Sequence, residues 1–240
     1  MNLASFLVFS IAFLLSLVRI SPFAARRNKW NPIKFIKTVS FFEALPSLPF
    51  VKKRVPKVST SPMEKGGTIW SKSRANDLQW GVLDDGVMGG VSETTSLIDG
   101  MFSGEFSGIT RTENNGGFAG IRTKLFDVAK NIENCSGFEL QVKGDGQRYK
   151  FIARDDTDWN GTAWSCSFDT KKDETMIVKV PIKDLKPTKF ARILRGGPAF
   201  NKKNLTCVQI SLSKFEYEGA LNPNFNVGPF YLNVESISVY

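Results

Sequence analysis

Apolar residues recur at every second position through the C-terminal half of the chain, and that period confines it to sheet. Phe138, Leu140 and Val142 alternate with Glu139, Gln141 and Lys143; past Gly144-Asp-Gly146, Tyr149, Phe151 and Ala153 alternate with Lys150, Ile152 and Arg154. Successive strand side chains point to opposite faces, so each stretch reads as a strand with one buried face. The two together read as a hairpin across the Gly-Asp-Gly turn. The same period returns at Trp164/Cys166/Phe168, Met176/Val178/Val180, Val208/Ile210/Leu212 and Phe230/Leu232/Val234, with a terminal Ile237/Val239. Turn-forming clusters at Asp155-Asp156, Lys171-Lys-Asp173, Gly196-Gly-Pro198 and Asn222-Pro-Asn224 separate them. No sustained helical repeat follows residue 63, apart from room for a turn or two within 184–194. Many short strands without intervening helices predict an all-β sandwich or barrel, and residues 64–240 suffice for one such domain.

The formal charge of +9 invites a nucleic-acid reading. Its distribution removes that reading. Residues 1–63 hold ten Lys or Arg and one acid, Glu43, while the rest of the chain holds 22 basic and 22 acidic side chains. The folded body therefore has no net field to draw a phosphate backbone, and no nucleic-acid partner is expected. The chain contains no histidine, which excludes Ser-His-Asp and Cys-His catalysis. Cys135, Cys166 and Cys207 stand far apart with no C-x-x-C pair, and they read as small buried apolar residues.

The first sixty-three residues read as an address. Ser5 to Val18 is an uncharged apolar run, short for a membrane span and suited to the core of a signal peptide. Residues 1–22 are therefore expected as a signal-like segment, cleaved or kept as an anchor; membrane contact is expected only through residues 5–18, if they are retained. Residues 23–63 are basic, poor in acids and broken by Pro32, Pro46, Pro49, Pro56 and Pro62, a composition unable to bury a core of its own. They are expected as a transit or linker segment. A signal-like run followed by a Phe-led basic stretch resembles the two-part plastid leaders of algae with complex plastids. A mitochondrial presequence is the alternative.

Two glycine clusters precede the alternating strands, Trp80-Gly-Val-Leu-Asp-Asp-Gly-Val-Met-Gly-Gly-Val-Ser-Glu93 and Asn114-Asn-Gly-Gly-Phe-Ala-Gly-Ile-Arg122. Glycine serves where φ is positive or where another group must approach the backbone, so both clusters predict turns packed against something specific. Together with Gly144-Asp-Gly-Gln-Arg-Tyr149, Phe168-Asp-Thr170, Val180-Pro-Ile182 and Gly228-Pro-Phe-Tyr-Leu232, they resemble, in order and approximate spacing, the signature blocks of the complex I intermediate-associated protein 30 family. The resemblance covers about residues 68–240. It implies a galactose-binding-like jelly roll and a non-catalytic role in assembling organellar membrane complexes. Family members are associated with mitochondrial NADH:ubiquinone oxidoreductase, and related plastid forms with photosystem biogenesis. Some plastid forms also carry a nucleotide-binding Rossmann domain, for which this chain has neither the G-x-G-x-x-G nor the room.

Several residues in and beside these motifs have a chemical reading. Asp84 and Asp85, with Glu93, could hold a calcium ion, but Asp-Asp-Gly is ordinary turn chemistry and no metal is expected. Gly89-Gly90 and Asn115-Gly116-Gly117 could cradle a phosphate, but no Gly-Lys-Ser/Thr follows and no cofactor is expected. Asp155 and Asp156 point to opposite faces of a strand and make a poor glycosidase pair. Trp159 and Trp164 bracket Asn160-Gly-Thr162, as core or rim packing or as an aromatic platform for a sugar or a protein. Arg122 and Arg148 each edge a glycine motif, where a guanidinium could pair with the Asp84/Asp85 turn or with an acidic partner. The expected function is therefore an assembly factor without catalytic residues. Its partners would be protein subunits or assembly factors of a membrane complex, met through Trp80, Asp84, Asp85, Asn114, Asn115, Arg122, Arg148, Trp159 and Trp164. The alternative is a carbohydrate-binding module of the secretory pathway, which draws on the jelly roll, the signal-like start, sequons at Asn134, Asn160 and Asn204, and the two tryptophans.

Overall fold

The structure is a computed structural model that describes residues 32–44, 55–98, 101–189, 191–197 and 199–240. The apolar run 5–18 lies outside the described residues, as does the whole of the expected signal segment. Helix α1 (Pro32–Phe41) comes first, opening on a proline whose missing N–H is no loss in a first turn. The strands follow as β1 (Lys57–Val58), β2 (Thr68–Ser71), β3 (Trp80–Val82), β4 (Glu93–Thr94), β5 (Leu97–Ile98), β6 (Met101–Phe102), β7 (Glu105–Thr110), β8 (Phe118–Thr123) and β9 (Val128–Ala129). Then come β10 (Gly137–Gly144), β11 (Arg148–Arg154), β12 (Ala163–Asp169), β13 (Thr175–Pro181), β14 (Lys186–Lys189), β15 (Arg192–Ile193), β16 (Cys207–Ser213) and β17 (Gly228–Val239).

Two antiparallel sheets carry the molecule. One runs β13-β10-β17-β7-β4, with β2 pairing the far end of β17; the other runs β15-β14-β12-β11-β16-β8-β3. The chain changes sheet between β2 and β3, β3 and β4, β7 and β8, β8 and β10, β10 and β11, β12 and β13, β13 and β14, and β16 and β17. This alternation makes an all-β jelly-roll β-sandwich, the galactose-binding-like architecture that the resemblance implied. Its core is aromatic: Phe138 of β10 meets Phe151 of β11 with ring centroids 4.8 Å apart, and Trp70, Trp80 and Phe102 form a second cluster.

Two sequence expectations need correction. The 138–154 region is not a hairpin, because β10 pairs β13 and β17 while β11 pairs β12 and β16. The Gly144-Asp-Gly146 turn crosses from one sheet to the other. Alternation shows that each strand has an inward face but not which sheet owns it, and the facing Phe138 and Phe151 carry the same pattern as paired strands would. Asp145 holds the crossing by accepting hydrogen bonds from the Gln147 and Tyr231 amides at 3.0 and 3.1 Å and from the Tyr149 hydroxyl at 3.1 Å. The second correction joins Phe230–Val234 and Ile237–Val239 into the single strand β17. Its register against β10 slips between Ser236 and Val234, so the extra residue moves the buried set from even to odd positions. Among the described residues of 182–194 there is one 3₁₀ turn, Ile182–Asp184, followed by β14 and β15.

The basic segment also contributes structure. β1 pairs in parallel with β9, and the Met63 amide donates to the Asn131 carbonyl at 2.7 Å. Helix α1 buries only Val39 and ends on Phe41 and Phe42, which lie against the sandwich. Such a composition builds no core of its own, yet it can settle on a surface that the sandwich supplies. Cys135 and Cys207 are buried free thiols and Cys166 is half-buried; burial pushes all three thiols up from their ordinary pKa.

Candidate functional site

The two glycine motifs come together around two carboxylates. β3 ends at Val82, and after the extended Asp84 the chain makes a 3₁₀ turn, Asp85–Met88, closed by Gly89 at φ +92°. Asp85, 3% exposed, takes four donors. The Ser92 amide donates to Oδ1 at 2.9 Å, and Oδ2 receives the Ser92 hydroxyl at 2.7 Å and the amides of Gly117 and Phe118 at 2.8 and 3.2 Å. The glycines are what let the carboxylate in. A Cβ at Gly116 would lie 2.6 Å from Asp85 Oδ2, and one at Gly90 would collide with the same carboxyl. Asn114 and Asn115 carry the approach to this seat at φ +56° and +61°, a region asparagine tolerates, and both stay exposed.

Asp84 does the same work between β4 and β8. Oδ2 accepts the Thr94 amide at 2.7 Å, and Oδ1 accepts the Thr94 hydroxyl at 2.6 Å and the Gly120 amide at 3.2 Å. Burial pushes its carboxyl up to about 6, against the lowering effect of these donors. The specific group that the clusters pack against is thus the chain's own Asp84-Asp85 pair. Oxygens surrounded by N–H and O–H donors are poorly placed to hold a cation, and amides committed to a carboxylate are not free for a phosphate. Among the described residues no group of three or more His, Cys, Asp or Glu is arranged to hold a metal ion.

Neither arginine pairs with that turn. Arg148 makes a two-pronged bond with Asp169, Nε to Oδ1 at 2.7 Å and Nη2 to Oδ2 at 2.6 Å, and Asn224 adds a donor to Oδ1 at 2.8 Å. The Asp169 bond holds the guanidinium above its ordinary pKa, and the same bond holds the Asp169 carboxyl below its own. The pair is partly solvated, so Arg148→Ala is expected to cost no more than about 1 kcal/mol in urea unfolding. Arg122, 5% exposed, lies between two rings instead, 4.5 Å from the Phe42 centroid and 4.0 Å from that of Trp159. Burial draws its pKa down to about 10, which leaves it charged at neutral pH. Each ring contact contributes about 0.5–2 kcal/mol toward that desolvation. Lys124 lies 4.7 Å over the Phe41 ring, and Lys34 of α1 bonds Glu93 at 2.7 Å.

The structure therefore divides the nine expected partner residues. Trp80 is fully buried against Trp70 and Phe102; Asp85 and Arg122 are likewise enclosed. Trp164 is buried against Phe200, with its indole N–H donating to Asp155 at 2.9 Å. Trp159 is half-buried with Arg122 over its ring, so the two tryptophans make no open sugar platform. Asn114 and Asn115 remain on the surface, as does Met88, and Asn114 donates to the carbonyl of Gly89, the residue after Met88, at 3.2 Å. Sequence reasoning missed Gly81, Lys124 and the pair Phe41-Phe42. The only signal for them was two adjacent aromatics inside a basic, proline-broken stretch.

Comparison with known proteins gives a family, a relative and a set of distant folds. The family model described as complex I intermediate-associated protein 30 matches residues 69–234. An uncharacterized protein of Schizosaccharomyces pombe is 29% identical over 161 residues, covering 58% of this chain and 74% of that protein. A family 11 carbohydrate-binding module of the cellulosomal cellulase Lic26A-Cel5E of Clostridium thermocellum superposes with TM-score 0.48 at 14% identity, over 74% of this chain and 95% of the module. The family 11 module of that organism in complex with a β-1,3-1,4-mixed-linked tetrasaccharide gives 0.45 at 14% identity, over 74% and 96%.

Proposed function

Since the chain belongs to the complex I intermediate-associated protein 30 family, we propose that it is a non-catalytic assembly factor that binds an assembly intermediate of an organellar membrane complex. The client is respiratory complex I, or a photosynthetic complex where the destination is a plastid. The match over residues 69–234 carries this reading. The chemistry of the site supports it, since Asp84 and Asp85 are engaged by the protein's own amides and hydroxyls rather than aimed at a reacting atom. The two-part leader favours a plastid over a mitochondrion, and the exposed turn at Asn114, Asn115 and Met88 offers an edge for the client. Interface energy concentrates in aromatic and Arg anchors, which makes the Arg122–Trp159 neighbourhood the second candidate surface.

Tagging the protein in its native organism and identifying what copurifies tests the proposal. Subunits or assembly factors of one such complex are the expected result; their absence from the purified material overturns the proposal. A fusion of residues 1–63 to a fluorescent reporter is expected to enter the plastid, and secretion of that reporter would count for the secretory alternative.

A further inference from the structure

The outward face of the sheet beside β3 is a seat for aromatic rings, and its occupant comes from the basic N-terminal segment. Gly81 and Arg122 are cross-strand neighbours, Lys124 follows at the end of β8, and Trp159 reaches over from the loop between β11 and β12. Phe42 fills the space between them, 5.3 Å from the Trp159 ring and under the Arg122 guanidinium, while Phe41 lies beneath Lys124. A Cβ at Gly81 would collide with both phenylalanine rings, so the glycine leaves a socket whose shape fits an aromatic pair.

This seat differs from ordinary core in what its occupant leaves behind. Arg122 and Lys124 are cations that water can solvate once the rings depart, whereas the inward neighbours on β8, Ala119 and Ile121, have no such recourse. The same face also carries unmet polar groups. Gln209, the register neighbour of Arg122 on the same face, is 4% exposed, and among the described residues its Oε1 has no hydrogen-bond partner, nor does Nε of nearby Arg154. Buried polar atoms are nearly always paired, so this face is not settled as ordinary core is. Helix α1, which carries the occupant, buries a single residue of its own, Val39, and its Lys34–Glu93 pair is exposed.

We propose that the Gly81–Arg122–Lys124–Trp159 face is a docking site for a polypeptide segment bearing two adjacent aromatic residues. Phe41-Phe42 fills it in cis and is displaced by a client segment of the same chemistry. The inference rests on the protein-binding reading above but needs no knowledge of the client, so it can fail while copurification succeeds, and the reverse.

A fluorescein-labelled peptide of residues 32–44 is titrated against the full chain and its F41A/F42A variant, with anisotropy as the readout. The variant is expected to bind at least tenfold more tightly than the wild type, whose seat is filled. Adding Trp159→Ala to the variant, or replacing both phenylalanines of the peptide with alanine, is expected to abolish the gain. Equal affinity for wild type and variant, or binding indifferent to Trp159, overturns the proposal. Hydrogen exchange on the unaltered chain gives an independent reading: amides of residues 38–44 are expected to exchange at least a hundredfold faster than those of β10 and β17. Exchange of both sets at one common rate, through global unfolding, would likewise refute a displaceable cover.

Discussion

Asp85→Ala is expected to lower the free energy of unfolding by about 3–5 kcal/mol, the largest loss of any single polar substitution proposed for this chain. The residue is small and makes no apolar contact that could account for such a figure. Its effect comes from what it leaves behind: the amides of Ser92, Gly117 and Phe118 and the hydroxyl of Ser92 all donate to this one carboxylate. Stranding a buried donor costs about 1–3 kcal/mol, and water entering the vacated space recovers only part of it. Ser92→Ala strands far less and is expected to cost about 1 kcal/mol. Asp85→Asn keeps the shape but turns an N–H group toward other N–H groups, so it is expected to lose most of what alanine loses. Urea unfolding of the three variants checks the order, and a loss for Asp85→Ala no greater than that for Ser92→Ala would show that the two glycine motifs hold together without their carboxylate.

That network bears on how much of the molecule the sequence discloses. The strands were legible because a sheet with one buried face must alternate, and β12, β13 and β16 fall where the alternation puts them. Their allocation to sheets was not, since Phe138 and Phe151 look inward from opposite sheets with the same period they would have as hairpin neighbours. The bulge in β17 hid the continuity of one strand in the same way, by changing parity at Glu235. At the site, glycine spacing disclosed that something approaches the backbone but not what. Three of the donors that select Asp84 and Asp85 are main-chain amides from residues 32 to 36 positions away, and every residue type other than proline carries one. Trp80 shows the converse error. An aromatic heading a motif suggested a contact surface, whereas its indole fills the space between β2 and β3. The docking of Phe41-Phe42 left almost no trace in sequence, because what receives it is a glycine in one strand, a cation in the next and a tryptophan in a loop.

Asp84 gives the second large effect, and it appears in pH rather than in denaturant alone. Burial raises its carboxyl from an ordinary 3.8 to about 6 in the folded chain. The folded state then holds a proton that the unfolded state has already released, so between about pH 4 and pH 6 this group makes the protein less stable as pH rises. The expected loss across that window is about 3 kcal/mol at most, the lowering effect of the three donors being already contained in the value of about 6. Asp169 works in the opposite sense and in a lower window. Its carboxyl is held below 3.8 by Arg148, so its contribution is complete above that pH and is lost only as pH falls through its folded value. The two are separable by subtraction. The stability difference between wild type and Asp84→Asn, measured by urea unfolding from pH 3.5 to 7, is expected to tilt against the wild type as pH rises through the window and to level off above it. A difference that stays flat would mean that the Thr94 and Gly120 donors stabilise the anion enough to cancel the burial, and that this half of the turn is indifferent to its charge.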